Sequence, residues 1–378
     1  MLPLTKFFLY FTYIIIKEVL NILFENNFYP VFKKPYYPKY ATWEMTLLCN
    51  MQCLHCGSRA GKRRHNELSE GECLNIADQL IEMGNEHVTL IGGEILLVPH
   101  WYKIAKHFIS AGVDANIITN AYKIGPQQIQ DLRNSGIKDI GISIDGLSKT
   151  HDFIRNKKGS FKNAIDAINK LKEENFRIGI VTTILDLNFA ELEKMYQILK
   201  KLDVYLWQLQ IASPMGRCED NKKYLLSVDK VPMITKFIYE KRFLGDTPIL
   251  IAADNIGYYN KHDINIRSTK LERTSYFTGC AAGLFNVGID SVGNVRGCQS
   301  LYSEKFIEGN LRQNSLNEIW HQKDAFSYNR NFKFDMLNGK CKDCDKGYVC
   351  AGGCRQISYF SSEDKCFYNN IYCSYKSE

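Results

Sequence analysis

The sequence predicts an α/β fold: an open or partial barrel of six strand–helix units, followed by a cysteine-rich C-terminal region. Three observations predict it. Short apolar, β-branched runs alternate with amphipathic helical patterns from residue 40 to residue 211. Several of those helical patterns stop at glycine, as helix C-termini commonly do. The 13 cysteines of this 378-residue chain crowd toward its two ends. Strands alternating with helices of this length read as βα units around a parallel sheet, whose ligand sites collect at the C-terminal ends of the strands.

The elements follow in order. Strand-like runs lie at 40–48 (YATWEMTLL), 87–91 (HVTLI), 114–119 (DANIIT), 139–144 (DIGISI), 176–184 (FRIGIVTTI) and 204–211 (VYLWQLQI). Between them lie LSEGECLNIADQLIEMG, HWYKIAKHFISAG, PQQIQDLRNSG, FKNAIDAINKLKEE and FAELEKMYQILKKL, each with helical periodicity. Ahead of the first strand, residues 7–24 (FFLYFTYIIIKEVLNILF) are oily, with Lys17, Glu18, Asn21 and Glu25 on one narrow helical face. A membrane span needs about 20 residues with few charges, so a crossing helix is disfavoured. A helix packed on the chain's own core, an interfacial membrane helix and a docking surface stay open. The expected plan is an apolar helical extension over 1–39, a core over 40–215, a bridging helical segment over 216–275 and a cysteine-rich domain over 276–378.

Composition narrows the function classes. Hydrophobic content of 45% and charged content of 24% are those of a soluble globular protein, long enough for two or three domains. The net charge of +7 is spread along the chain, which reads as a solvated surface rather than a nucleic-acid stripe. There is no secretory signal with a small-residue cleavage site, so a disulfide framework is not expected. In a reducing cytoplasm, clustered thiols point to metal.

The stretch CNMQCLHC (49–56) places Cys49, Cys53 and Cys56 in the loop after the first strand. Thiolates ligate iron–sulfur clusters, and a cubane has four irons to ligate. C-x3-C-x2-C holds three and leaves one for a non-protein ligand. A zinc knuckle closed by His55 or a remote residue is the alternative. At the end of the second strand, Gly92, Gly93 and Glu94 combine close backbone approach with a carboxylate that can hold an ammonium; a tight turn explains the glycines equally. The fourth strand ends in Ser143 and Asp145, followed by Arg155. Hydroxyl and guanidinium suit a carboxylate and a ribose, and N-capping is the bland counterpart. The sixth strand continues into WQLQIASPMGR, whose apolar residues could line an adenine or simply fill a core.

Together and in this order, these residues resemble the radical SAM superfamily, whose signature loop is C-x3-C-x-aromatic-C; His55 takes the aromatic position. The resemblance implies a partial (β/α)6 TIM-type barrel and a 4Fe–4S cluster on Cys49, Cys53 and Cys56. The open iron of that cluster binds S-adenosylmethionine. It further implies Gly92, Gly93 and Glu94 toward the amino group, and His55, Ser143, Asp145 and Arg155 around the cofactor. Gln210 and Ile211, on the 209–212 strand end, would lie against adenine. Ile95 stands where that family usually has proline. Reduction of the cluster would cleave the sulfonium to methionine and a 5′-deoxyadenosyl radical that abstracts hydrogen from substrate.

The C-terminal spacing C-x12-G-x4-C, gap, C-x2-C-x5-C-x3-C, gap, C runs through Cys280, Gly293, Cys298, Cys341, Cys344, Cys350, Cys354 and Cys373. It is similar to the SPASM domain, which houses auxiliary clusters in peptide-modifying radical SAM enzymes; a zinc ribbon from Cys341, Cys344, Cys350 and Cys354 is the alternative. The resemblance implies a distal cluster on Cys341, Cys344, Cys350 and Cys373, with Cys366 an alternative to Cys373. A nearer cluster would rest on Cys280, Cys298 and Cys354 alone, with an open iron. That makes three 4Fe–4S clusters. Cys73 reads as core, and Cys218 as a free thiol. The implied substrate is a ribosomally made precursor peptide receiving a C–C, C–S or C–O side-chain cross-link. The implied partners are a flavodoxin- or ferredoxin-like electron donor and a separate leader-binding protein, since only 48 residues precede Cys49. Sulfatase-maturing oxidation to formylglycine is the rival. It is weakened by Gln299, where those enzymes commonly have Asp. A non-catalytic iron–sulfur or zinc protein is the rival from another class.

Overall fold

The computed structural model describes residues 34–245, 247–268 and 276–375. The oily stretch 7–24 lies outside them. No helix among the described residues is long and apolar enough to cross a membrane.

All six predicted strands form: β1 (Tyr40–Glu44), β2 (His87–Ile91), β3 (Asp114–Thr119), β4 (Asp139–Ser143), β5 (Arg177–Ile184) and β6 (Leu206–Ile211). They pair in sequence order, all parallel. A seventh parallel strand, β7 (Ile249–Ala252), comes from the segment expected to be helical. The sheet also continues past β1. There β8 (Asn286–Ile289) pairs parallel with β1, and β9 (Asn294–Arg296) and β10 (Gly309–Asn310) follow antiparallel. One ten-stranded sheet therefore carries both the barrel strands and the start of the cysteine-rich region.

Alternation along the strands explains where the core sits. Trp43, Leu90, Ile117, Ile140, Ile180, Trp207 and Leu209 face outward and are buried. They pack in one cluster with Ile76 and Leu80 of α1 (Glu70–Glu82), Ile104 and Phe108 of α2 (Trp101–Ser110) and Leu132 of α3 (Pro126–Ser135). The opposite face mixes small and polar residues, among them Thr89, Asn116, Gly141, Gly179 and Gln208, with Ile91, Ile118, Val181 and Leu206, and together they line a hollow.

Helix ends follow local chemistry. Helix α1 begins at a capping box in which Glu72 N donates to Ser69 Oγ and Ser69 N donates to Glu72 Oε2 at 2.8 Å. Helix α3 starts on Pro126 and ends at Gly136 with φ 78°, the left-handed cap glycine tolerates best. Two further helices are α4 (Ser148–Ile154), after β4, and α5 (Ser160–Glu173).

Candidate active site and cysteine pockets

The loop carrying Cys49, Cys53 and Cys56 is fixed from both sides. Cys49 N donates to Gly61 O at 3.1 Å and Gly61 N to Leu47 O at 2.9 Å, closing the loop on itself. Leu47 N and Thr46 Oγ1 donate to the Glu67 carboxylate. All three sulfurs accept N–H groups: Cys49 from Met51 N (3.4 Å) and Asn120 Nδ2 (3.9 Å), Cys53 from Arg155 Nη1 (3.9 Å), Cys56 from Ala60 N (3.3 Å). Donors aimed at sulfur favour thiolate and tune a cluster's potential. Burial opposes them, pushing the Cys49 thiol up to about 12 and raising Cys53 as well. Metal must therefore displace protons on binding.

Arg217 was not singled out in the sequence, although it ends the quoted stretch WQLQIASPMGR. Its Nε donates to Cys53 O at 3.0 Å, its Nη2 to Ala60 O at 2.6 Å, and its backbone N to Cys56 O at 2.9 Å. It clamps the cysteine loop onto the end of β6. Gly216 makes that approach possible, since a Cβ there would sit 2.5 Å from Cys56 O.

Gly93 N donates to Thr46 O at 2.6 Å and Glu94 N to Leu48 O at 2.8 Å, docking the Gly92–Gly93–Glu94 turn on the chain leading into the loop. A Cβ on Gly93 would meet Leu48 O and lie 2.6 Å from Leu47 O, so the position requires glycine. The Glu94 carboxylate is already engaged: Thr119 Oγ1 (2.6 Å), Asn120 N (2.8 Å) and Leu96 N (3.1 Å) donate to it. Burial raises its pKa despite these donors.

Asp145 departs from expectation. Its side chain is fully buried and faces its own chain: His55 Nε2 lies at 2.8 Å, Arg155 Nη2 at 2.6 Å and Thr183 N at 2.8 Å. Burial would push this carboxyl up, but Arg155 and His55 hold it well below the usual carboxylate range. Asp145 therefore organises His55 and Arg155, and its own side chain does not line the barrel cavity. Ile211 is a second correction. It lies on the outward face of β6, 2% exposed in the core, whereas Leu206, Gln208 and Gln210 face the hollow. The phase of the strand, not its composition, decides which residues meet a ligand.

That hollow has a volume of about 820 Å3. Cys49, Cys53 and Cys56 line it together with Gly92, Gly93, Glu94, His55, Ser143, Arg155 and Gln210. Ser300 also borders it and hydrogen-bonds Cys298, so the C-terminal region reaches the barrel cavity.

A second hollow of about 370 Å3 is lined by Cys341, Cys344, Cys350 and Cys373. Cys366 is not on its wall; its sulfur accepts Asn338 Nδ2 at 3.1 Å and Tyr368 N at 3.3 Å. Cys280 adds to the ionisation cost of Cys298, and both add to that of Cys354, so the three lie near one another. Burial pushes Cys298 up to about 11 and Cys354 well above the ordinary thiol value. Cys73 packs with Ile76, Ala77 and Leu80, and Cys218 with Ile154 and Leu185, both as core thiols. Among the described residues no Cys, His, Asp or Glu group converges on a single metal ion. The Cys49/Cys53/Cys56 and Cys341/Cys344/Cys350/Cys373 sets ask instead for a group large enough to present a separate iron to each sulfur, and the hollows they line provide that room.

Residues 43–199 match the radical SAM superfamily, and residues 280–345 match the SPASM iron–sulfur cluster-binding domain. The AdoMet-dependent heme synthase of Methanosarcina barkeri is 28% identical over 349 residues, covering 90% of this chain and 97% of the relative. Mycofactocin maturase MftC of Mycolicibacterium smegmatis is 27% identical over 329 residues, covering 85% and 79%. The crystal structure of Streptococcus suis SuiB bound to S-adenosylmethionine shares the fold, with a TM-score of 0.71 at 14% identity over 89% of this chain and 77% of that one. With its cysteine loop, barrel cavity and second cysteine domain, the chain is a radical SAM enzyme carrying a SPASM domain, using S-adenosylmethionine and 4Fe–4S clusters.

Proposed function

We propose that this enzyme modifies a ribosomally made precursor peptide, installing a C–C, C–S or C–O side-chain cross-link. The observation that carries the reading is the joining of the barrel cavity to the Cys280/Cys298/Cys354 set through Ser300 and Cys298, on a chain similar to a maturase over most of its length. Bound on Cys49, Cys53 and Cys56 and against Gly92 and Gly93, the cluster and S-adenosylmethionine would supply radical chemistry at an unactivated C–H bond.

The chain's own residues do the rest. Arg217 and Glu67 hold the cysteine loop rigid. The Glu94 carboxylate braces the β2 end against β3, leaving the Gly92–Gly93 backbone to receive the cofactor's amino group. Asp145 orients Arg155 beside Cys53, and Ser143 and Gln210 present polar groups to the cofactor's carboxylate, ribose and adenine. Around these the barrel walls limit water. The proposed complement is three 4Fe–4S clusters: Cys49/Cys53/Cys56, Cys280/Cys298/Cys354 and Cys341/Cys344/Cys350/Cys373. Segments 40–215, 216–275 and 276–378 are the proposed domains. Thirteen cysteines, none disulfide-bonded, suit a reducing cytoplasm and a flavodoxin- or ferredoxin-like electron donor. A separate leader-binding protein would present the peptide.

Formylglycine formation is disfavoured because Gln299 offers no carboxylate beside Cys298, and neither atom of its buried amide finds a partner. One observation favours a second reading. The heme synthase relative matches this chain over nearly all of both lengths, which favours a porphyrin precursor as substrate. The test is anaerobic co-expression with the small open reading frames adjoining the gene, followed by mass spectrometry. Loss of two hydrogens from one such peptide supports the proposal. Unchanged peptides together with conversion of a heme precursor would overturn it.

A further inference from the structure

Residues 46–48 join β1 to the cysteine loop and carry both halves of the cofactor site. Gly93 N docks on Thr46 O and Glu94 N on Leu48 O, while Gly61, which closes the cysteine loop, donates to Leu47 O. One carboxylate, its side chain only 6% exposed, holds this junction. Glu67 accepts Leu47 N at 2.8 Å, Thr46 Oγ1 at 2.8 Å and Arg64 N at 3.2 Å. A displacement of Glu67 would move the cysteine loop and the Gly92–Gly93 turn with it.

Glu67 is itself held by the C-terminal region. Ser291 lies two residues past the end of β8, the strand that pairs with β1, and is fully buried. Its backbone oxygen accepts Leu68 N at 2.7 Å, and its Oγ donates to Glu67 Oε1 at 3.2 Å. A hydroxyl has one proton to give, so the same oxygen meets Arg64 as an acceptor. Arg64 Nη1 donates to Ser291 Oγ and pairs with Glu44 Oε1 at 2.7 Å, and its Nη2 donates to the hydroxyl of Tyr302. Tyr302 follows Cys298 by four residues and Ser300 by two. A polar chain thus runs from Tyr302 through Arg64 and Ser291 to Glu67, and ends on the backbone that leads into Cys49. Apolar contact of β8 with β1 would suffice to dock the two regions. A buried hydrogen-bonded chain ending on site-bearing backbone adds fixed position, which a ligand site needs to within about 0.5 Å.

We propose that Ser291 and Arg64 are positioning residues for S-adenosylmethionine: through Glu67 they let the C-terminal domain hold the cysteine loop and the Gly92–Gly93 turn in register. The barrel's cofactor site is then incomplete until the C-terminal domain has docked. This rests on the reading that the Gly92–Gly93 backbone receives the cofactor's amino group.

The test measures S-adenosylmethionine affinity of the reconstituted holoenzyme by equilibrium binding. The electron paramagnetic resonance signal of the reduced first cluster, iron content and thermal unfolding are read on the same samples. Ser291→Ala and Tyr302→Phe each remove one hydroxyl and no charge, so both proteins should fold. Ser291→Ala should keep its iron yet bind S-adenosylmethionine about ten-fold more weakly, the loss typical of an outer partner of a ligand set, with an altered cofactor-induced signal. Tyr302→Phe should move the same readouts in the same direction by less. Adding Ser291→Ala to Arg64→Ala should weaken binding no further than Arg64→Ala alone, since both interrupt one chain. Affinity and signal of Ser291→Ala within about two-fold of wild type would overturn the proposal, even if its unfolding temperature fell. Effects of Ser291→Ala and Arg64→Ala that simply add would overturn it as well. Gly93→Ala separates the premise: unchanged affinity there overturns the amino-group reading itself, whereas weakening by Gly93→Ala with none by Ser291→Ala overturns the positioning chain alone.

Discussion

Replacing Asp145 with Asn probes the network that positions Arg155. The carboxylate is fully buried and Arg155 Nη2 lies 2.6 Å away. Asn keeps an acceptor for Thr183 N, but it loses the charge and turns an NH2 toward Arg155 or His55. At a charge separation of about 4 Å and an effective dielectric of about 20, the lost attraction is about 4 kcal/mol. Breaking a buried pair from one side costs roughly 3–5 kcal/mol by mutational precedent. That is a large share of the roughly 5–15 kcal/mol that holds a typical domain folded. The assay is urea unfolding of the iron-free chain, followed by tryptophan fluorescence. Trp43, Trp101, Trp207 and Trp320 are all buried and will report the transition. If an unpaired guanidinium is the cause, adding Arg155→Met to Asp145→Asn should restore much of the loss. A single variant within about 1 kcal/mol of wild type would refute the reasoning, and so would a double variant no better than the single.

Other expectations follow from the same geometry. Gly93→Ala should abolish 5′-deoxyadenosine formation, because its Cβ meets backbone oxygens of Leu47 and Leu48 that cannot move aside; the nucleoside is measured by chromatography. Cys373→Ala should lower iron content by about four per chain while Cys366→Ala leaves it unchanged, since Cys373 alone of the two borders the four-cysteine hollow. Burial raises the Glu44 carboxyl from 4.5 to about 7, so the fold prefers its protonated form. That preference is present in full below pH 4.5 and is lost as pH rises through 7, a change of roughly 3 kcal/mol. Glu44→Gln should flatten that part of the stability–pH curve, and parallel curves for the two proteins would contradict it.

Much of this was legible because local signals and global fold agree. The six barrel strands and five main helices have clear periodicity, and Cys49, Cys53 and Cys56 announce themselves by spacing. β7 is only four residues long, and α4 is seven, too short for a pattern to stand out. Asp145 was placed around the cofactor by the family resemblance, on the fourth strand's end beside Ser143. Its assignment to His55 and Arg155 depends on a tertiary meeting that spacing does not encode. Ile211 was misjudged through the phase of β6. Arg217 and Ser300 carry no motif; each matters because of what it touches across the chain.

The parallel pairing of β8 with β1 has a consequence for biogenesis. Tyr40 sits opposite Asn286, so one flank of the first strand has no partner until the chain has been synthesised almost to its last quarter. Contacts of such long sequence separation form late and slowly. The iron-binding loop begins five residues after β1 ends, and its scaffold is completed only then. Iron delivery to the first cysteine loop should therefore follow emergence of β8 from the ribosome. A nascent chain stalled before residue 286 would display an unpaired strand edge, a site where aggregation competes with assembly.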